Sequence, residues 1–342
     1  VKHQETVLSI QYLRAVAAIA VVIFHASNNE FQVGMAGVDV FFVISGFIMW
    51  TTTIGKPMSP AEFMSRRLTR IVPLYWAMTL FTALITISPP KVGLAADAEH
   101  LVRSLLFLPA NIVDPGHPFL MPPVLGVGWT LNLEMYFYIV FALALMLPAR
   151  ERLAFIGAVI ATPVILGVFI ADQLPLALRF YTRPELLEFI AGVALGAAYA
   201  AGRTPHGAAA AVALLTGSLI LFATGQPAID FRAAHFGAPA LLLCVAGIAA
   251  EGQFRKRPNQ LAKLLGDASY SIYLAHIPML TIARKVLGWP TSQSLGPFEL
   301  VFLSAAAVAG CVAVYLLFEK PVDRALRRFL SRRRAITRGA KT

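Results

Sequence analysis

The chain has 342 residues, 58% of them hydrophobic and only 14% charged, with a formal charge of +11 and a mean hydropathy of +0.69. A soluble domain carries about a quarter charged residues, so this apolar excess excludes an ordinary water-soluble globule and requires burial in lipid. Nor does the charge indicate nucleic acid: the basic residues do not interleave with aromatics on one module, and nine of the 29 Lys and Arg lie between Lys320 and Lys341, where an anionic membrane lipid surface is the fitting partner.

Apolar runs bounded by charge, Pro and Gly predict an all-α, polytopic transmembrane helix bundle of about ten spans. They fall near 8–26, 37–53, 72–88, 129–147, 154–171, 185–202, 208–225, 235–250, 268–287 and 298–318. Several are short for a bilayer crossing, which implies tilted or broken helices. Lys and Arg fall about three to one on the N-terminal side of the bundle, which puts both termini in the cytoplasm. The expected organisation is one transmembrane domain over 1–324 and a basic cytoplasmic tail over 325–342, with no internal repeat and no cleavable leader.

The first span contains RAVAAIAVVIFH, with Arg14 and His25 at its ends. Eleven residues turn a helix by about 1100°, some 20° past three turns, so the two share one face about 16 Å apart. An ionisable side chain within a span faces a cavity, a partner or a substrate, although an Arg reaching the interface and a His at a helix end would give the same spacing. The second span opens GVDVFFVISGF. Asp39 there reads first as an acid complementing the helix dipole, and Ser45-Gly46 as a small pair permitting close helix contact.

The next loop reads FMSRRLTRIVPLYW, with Pro73 expected to open the third span. Arg67 and Arg70 lie three apart, with Arg66 alongside. Two guanidinium forks on one helix face make a phosphate receptor, and ordinary positive-inside bias would supply the same residues. The long connection 89–128 is Pro-rich and carries LVRSLLFLPANIV, too short to cross and expected to lie on the surface or fold back.

In the fourth span, WTLNLEMYFYIV sets Asn132 and Glu134 among Trp129, Tyr136 and other aromatics. A membrane-embedded acid needs a positive partner, a proton or a substrate hydroxyl. Glu134 is thus positioned either to orient His25 or to form a structural salt bridge. The ninth span, GDASYSIYLAHIPML, spaces Ser269, Tyr273 and His276 by four and three, which makes one polar stripe, and a packed, hydrogen-bonded His276 fits it equally. LFEKPVDRAL ends the tenth span with Glu319, beside the basic tail. Cys244 and Cys311 lie in apolar runs as small core residues. No nucleotide-binding Gly loop, metal-ligand spacing or nucleophile elbow occurs.

Six segments in this order, LRAVAAIAVVIFH, GVDVFFVISGF, RRLTRIVPLYW, GWTLNLEMYFY, SYSIYLAH and FEKP, resemble the acyltransferase 3 family of integral-membrane acyltransferases. The likeness covers about residues 8–324 and is strongest to the bacterial exopolysaccharide and O-antigen acetylating branch. It implies transfer of an acyl group, commonly acetyl from acetyl-CoA, to a carbohydrate hydroxyl at the bacterial inner membrane, with no metal. The family's paired Arg and His correspond to Arg14 and His25, and its basic motif to Arg67 and Arg70. Thr130 stands where many relatives have Ser, with Trp129 and Glu134 kept.

On this reading Arg67, Arg70 and Arg14 hold the phosphates of acyl-CoA, and His25 is the general base or, alternatively, carries the acyl group, with Glu134 assisting. Arg66, Asp39, Trp129, Asn132, Tyr136, Ser269, Tyr273, His276 and Glu319 are expected to contribute to binding. Homo-oligomers and glycan-assembly partners stay open. The competing class is a multi-span transporter of a glycan or small solute.

Overall fold

The computed structural model describes residues 7–86, 94–110, 122–224, 233–290 and 294–339, and these form helices and connections without a strand. In chain order the helices are α1 (Leu8–Ala26), α2 (Ala36–Thr53), α3 (Pro60–Thr86), α4 (Leu94–Leu105), α5 (Trp129–Ala144), α6 (Ala149–Ile170), α7 (Leu176–Phe180) and α8 (Leu186–Ala200). There follow α9 (Ala208–Thr224), α10 (Ala238–Ala249), α11 (Glu251–Lys256), α12 (Gln260–Asp267), α13 (Ser269–Leu287), α14 (Pro297–Val314) and α15 (Lys320–Gly339). A helix therefore coincides with each apolar run read from the sequence.

Five helical stretches are long and apolar enough to cross a membrane: Leu8–Ala26, Gln32–Thr53, Gly126–Ala144, Ala149–Gln173 and Pro297–Leu330. Leu186–Ala200, Ala208–Ala223 and His235–Ala249 are apolar but shorter. Val168 and Leu317 are 79% and 80% exposed on the outside of the bundle, the arrangement of a protein solvated by hydrocarbon.

One boundary differs substantially from expectation. α3 begins at Pro60 and runs through Pro73 without ending there. Its start is encoded by Ser59-Pro60-Ala61-Glu62: the Ser59 hydroxyl accepts from the Glu62 amide at 3.1 Å, and proline occupies the first helical position, where a missing N–H costs nothing. Glu62 then pairs with Arg66 one turn later at 2.7 Å. In consequence Arg67 and Arg70 stand on a rigid helix rather than on a loop.

Two packing relations position the site. α2 and α8 run parallel in very close approach: a Cβ at Gly46 would lie 2.2 Å from the Phe189 carbonyl oxygen, and one at Gly192 would lie 2.0 Å from that of Val43. Both contacts are possible only for glycine, so the small pair at 45–46 packs as its composition suggests. α1 and α13 also run parallel, joined near their beginnings by Arg14 with Ser269. At their far ends, Arg284 donates to the Ala26 carbonyl at 3.0 Å and to that of Pro290 at 2.8 Å.

The outer connection folds back on α3. Tyr75 donates to the Ser104 carbonyl at 2.9 Å and Trp76 to that of Leu105 at 2.8 Å. Phe107, in the left-handed region at φ 59°, is buried against Tyr75 with ring centroids 4.7 Å apart. The last residues of LVRSLLFLPANIV, 111–113, lie outside the described residues. So do Lys2, Lys91, Arg232 and Lys341, which contribute to the expected charge bias.

Candidate active site

Helices α1, α2, α3, α5 and α13 line a partly open cavity of about 170 Å³. Its walls bring together Arg14, Arg67, Arg70, Thr130, Glu134, Ser269 and Tyr273, from four segments distant in sequence. The rest of the lining is mostly apolar and aromatic, including Phe41, Phe42, Ile48 and Met49. A second, more polar and more open cavity of about 260 Å³ is lined by Gln11, Asp267, Tyr315, Lys320 and Asp323. Arg14 and Arg70 line both cavities and stand between them.

The three cavity arginines differ in their bonding. Arg70 forms an ion pair with the buried Glu319, which also accepts from the Ser271 hydroxyl, and its guanidinium lies 5.5 Å from the Tyr270 ring centroid. Glu319 is thus tied to α3 and α13, not to the basic tail. The π-helical turn Tyr315–Glu319 ending α14 puts it there. Arg14 donates to neutral groups, Ser269 at 3.1 Å and Gln11 at 3.3 Å, and Gln11 in turn bonds Asp267. Arg67 lies 5.7 Å from the Phe63 ring centroid, and its buried Nε has no hydrogen-bond partner among the described residues. A guanidinium short of acceptors in an apolar-walled cavity is a strong receptor for an incoming anion. Arg66, one position away, points outward to Glu62.

Glu134 accepts from Ser45 at 2.8 Å and from Tyr138 at 2.6 Å. Both hydroxyls donate to Oε1, which leaves Oε2 without a hydrogen bond among the described residues, and His25 finds a different partner. The Ser45-Gly46 pair therefore divides its work, with the glycine packing on α8 and the serine bonding the cavity's carboxylate. Tyr138 is one turn after Glu134, on the same face, a signal available in the sequence. Tyr270, which donates to the Ile71 carbonyl at 2.7 Å, gave none.

His25 lies near the other end of α1, half-buried, with Nδ1 3.0 Å from the Val21 carbonyl oxygen. Its neighbour is His276, which is fully buried on α13, with Nε2 3.1 Å from His25 Nδ1. Tyr273 separates this pair from the cavity. Its hydroxyl meets Thr130 Oγ1 at 3.0 Å, and its ring centroid is 6.1 Å from that of His276. Of the three polar residues of the α13 stripe, Ser269 and His276 thus meet α1 at Arg14 and His25, and Tyr273 meets α5 at Thr130.

Several sequence candidates lie off the cavity. Tyr136 donates to the Val159 carbonyl of α6 at 3.3 Å, and Asn132 is 1% exposed with both amide atoms lacking hydrogen bonds among the described residues. Each is two residues from Glu134, a turn of about 200° that carries it to the opposite side of α5. Trp129 packs under the Arg183 guanidinium, 4.7 Å from its ring centroid. Asp39 lies in the first turn of α2 but is fully buried, deeper than a surface dipole partner. Cys244 and Cys311 are buried free thiols. Among the described residues no group of three or more His, Cys, Asp or Glu side chains is placed to hold a metal ion.

Comparison with known proteins adds chemistry to this geometry. The family model for an acyltransferase domain, Acyl_transf_3, matches residues 7–316. The exopolysaccharide production protein ExoZ of Rhizobium meliloti is 37% identical over 320 residues, spanning 91% of this chain and 96% of the relative. The acyltransferase MdmB of Streptomyces mycarofaciens is 28% identical over 373 residues, 96% of this chain and 93% of the relative. The peptidoglycan O-acetyltransferase OatA of Listeria monocytogenes is 23% identical over 312 residues, 82% of this chain and 50% of the relative. No solved structure matches the chain.

Proposed function

The chain belongs to the acyltransferase 3 domain family, and from that premise we propose that it moves an acyl group, acetyl in the first instance, from cytoplasmic acyl-CoA to a hydroxyl of an exported or cell-surface polysaccharide or its lipid-linked precursor. The observation that carries this reading is the placement of Arg14 and Arg70 between a polar cavity and a mostly apolar one, with Arg67 short of acceptors in the second. The polar cavity suits the coenzyme's phosphates, and the apolar one suits its thioester arm. About ten spans in a bacterial inner membrane, with both termini cytoplasmic, put the polar cavity on the side where acyl-CoA is made. Likeness to an exopolysaccharide production protein and to a peptidoglycan O-acetyltransferase supports a carbohydrate acceptor.

In the proposed reaction, His25 Nε2 removes the proton from the acceptor hydroxyl as that oxygen attacks the thioester carbonyl. The C–S bond breaks, coenzyme A leaves as thiolate, and the proton held on His25 returns to it. Glu134, held by Ser45 and Tyr138, keeps one negative charge near the three arginines and so fixes their arrangement before the donor binds. Ser269 and Tyr273 set the position of Arg14 and the wall next to the histidine.

The test is CoA release. Purified protein given acetyl-CoA and a membrane glycan extract is expected to liberate CoA thiol and to deposit acetyl esters detectable by mass spectrometry of the glycan. Transport without chemistry would leave the thioester intact, and that result would sink the acyltransferase reading.

The arginines should separate by their partners. Arg67→Ala is expected to weaken acyl-CoA binding about tenfold, the worth of one charge-assisted contact, with little change in folding. Arg70→Ala should weaken it as well, but it also strands Glu319 in the interior, at a cost of about 3 kcal/mol or more in stability. Calorimetric binding of CoA beside thermal unfolding distinguishes the two. Unchanged affinity in both would reduce these residues to topology signals.

A further inference from the structure

One buried side chain beside His25 has no part in the reaction proposed above. His276 is 0% exposed on α13 and has no place on the cavity wall, yet its Nε2 lies 3.1 Å from Nδ1 of His25, with ring centroids 4.9 Å apart. The proton arrangement between the two rings can be derived from the backbone around them. His276 Nδ1 lies 2.7 Å from the Tyr273 carbonyl oxygen and 3.2 Å from that of Ile272. Carbonyl oxygens only accept, so this nitrogen carries the hydrogen, and in the neutral ring Nε2 is then the acceptor. His25 Nδ1 faces the Val21 carbonyl at 3.0 Å and His276 Nε2, two acceptors, so it too carries a hydrogen. The remaining nitrogen of His25, Nε2, keeps its lone pair.

We infer that His276 is a positioning residue for His25: it accepts the Nδ1 hydrogen from a neighbouring helix and thereby holds the ring in the tautomer whose Nε2 is a free base. The inference rests on the assignment of His25 as general base. Val21 belongs to the same helix as His25 and can anchor the ring from one side only. An acceptor on α13, opposite the edge-on Phe24 ring 4.8 Å away, fixes the plane of the imidazole as well. When Nε2 takes the substrate proton, the His25 imidazolium keeps its Nδ1 hydrogen bond to His276. No proton passes to His276, whose own hydrogen stays on Nδ1 at the Tyr273 carbonyl. The side chain of that same Tyr273 walls the cavity, so the acceptor of the second histidine moves only if the cavity wall moves.

Two amide substitutions separate this role from packing. The amide of His276→Gln reaches about where Nε2 was and can accept from His25. That of His276→Asn reaches only the Nδ1 position, so it can satisfy the Tyr273 carbonyl but not His25. In the CoA-release assay with acetyl-CoA and membrane glycan, His276→Gln is expected within about fivefold of the wild-type kcat. His276→Asn should lose about a hundredfold, as misplacement of a catalytic group does, with KM for acetyl-CoA unchanged in both. Equal rates in the two variants, at any level, would overturn the positioning role, and so would a loss confined to KM. His25→Ala is run alongside. Wild-type turnover there would remove the base assignment itself, whereas an inactive His25→Ala with equal His276 variants would remove only the role of His276.

Discussion

Replacing His25 with alanine is expected to lower acyl transfer by at least about a hundredfold, the usual range for deleting a general base, while the protein accumulates and unfolds as the wild type does. The expectation follows from what else is available. Glu319 is engaged by Arg70 and Ser271, and His276 by its own helix and by His25, so neither is placed to take over. Glu134 sits on the cavity wall among the arginines, away from the histidine pair. His25 is half-buried and forms a single interhelical bond, so its truncation disturbs packing little. Acetylated glycan from cells carrying the variant, quantified by mass spectrometry, is the decisive readout. Full acetylation there would mean that the base lies elsewhere.

A large effect on stability should also come from a residue with no chemistry at all. Gly192→Ala places a methyl group 2.0 Å from the Val43 carbonyl oxygen, facing the α-carbon of Gly46 at 3.0 Å. Backbone cannot rotate away as a side chain can, so α2 and α8 must separate along their length. The cost should reach about 3 kcal/mol, at the upper end for overpacked cores, and appear as a lower melting temperature in detergent. Gly157→Ala on α6 is the matched control. A Cβ there meets nothing within 4 Å, and removing a helix-interior glycine should stabilise by about 0.5–1 kcal/mol. If both variants melt alike, the close approach of α2 and α8 has been overstated. Because Ser45 is adjacent to Gly46, a separated α2 would also withdraw one of the two hydroxyls from Glu134.

The helices were legible because bilayer-length apolar runs constrain the chain strongly. The misread start of α3 shows the limit of that signal: hydropathy marks where a chain enters lipid, whereas Ser59-Pro60 and Glu62 mark where a helix begins. The latter sit twelve residues upstream in polar sequence. Gly192 and Gly196, four apart in α8, likewise carried a helix-contact signal that only a pairing partner makes specific. Within the site, periodicity gathered Arg14 with His25, and Ser269 with Tyr273 and His276, since residues on one helix face stay together wherever the helix goes. Partners between helices could not be read that way. The choice of His276 over Glu134 as the neighbour of His25 depends on how α1, α5 and α13 are rotated against each other, and that rotation is set by side-chain packing summed over the bundle. Tyr136 and Asn132 failed as cavity residues for a simpler reason: both share a segment with Glu134, but not its face.

The contacts that complete the site join the two extremes of the chain. His25 meets His276 across 251 residues, Arg14 meets Ser269 across 255, and Gln11 meets Asp267 across 256. During synthesis α1 therefore enters the membrane long before α13 exists, and a chain that has not yet reached α13 has neither the histidine pair nor the bond that holds Arg14. A chain that lacks α12 and α13 lacks all three contacts. Two separately expressed pieces divided between α9 and α10 should each be inert and regain the histidine contact only on reassociation, which makes co-assembly of α1 with α13 the step that completes the pair.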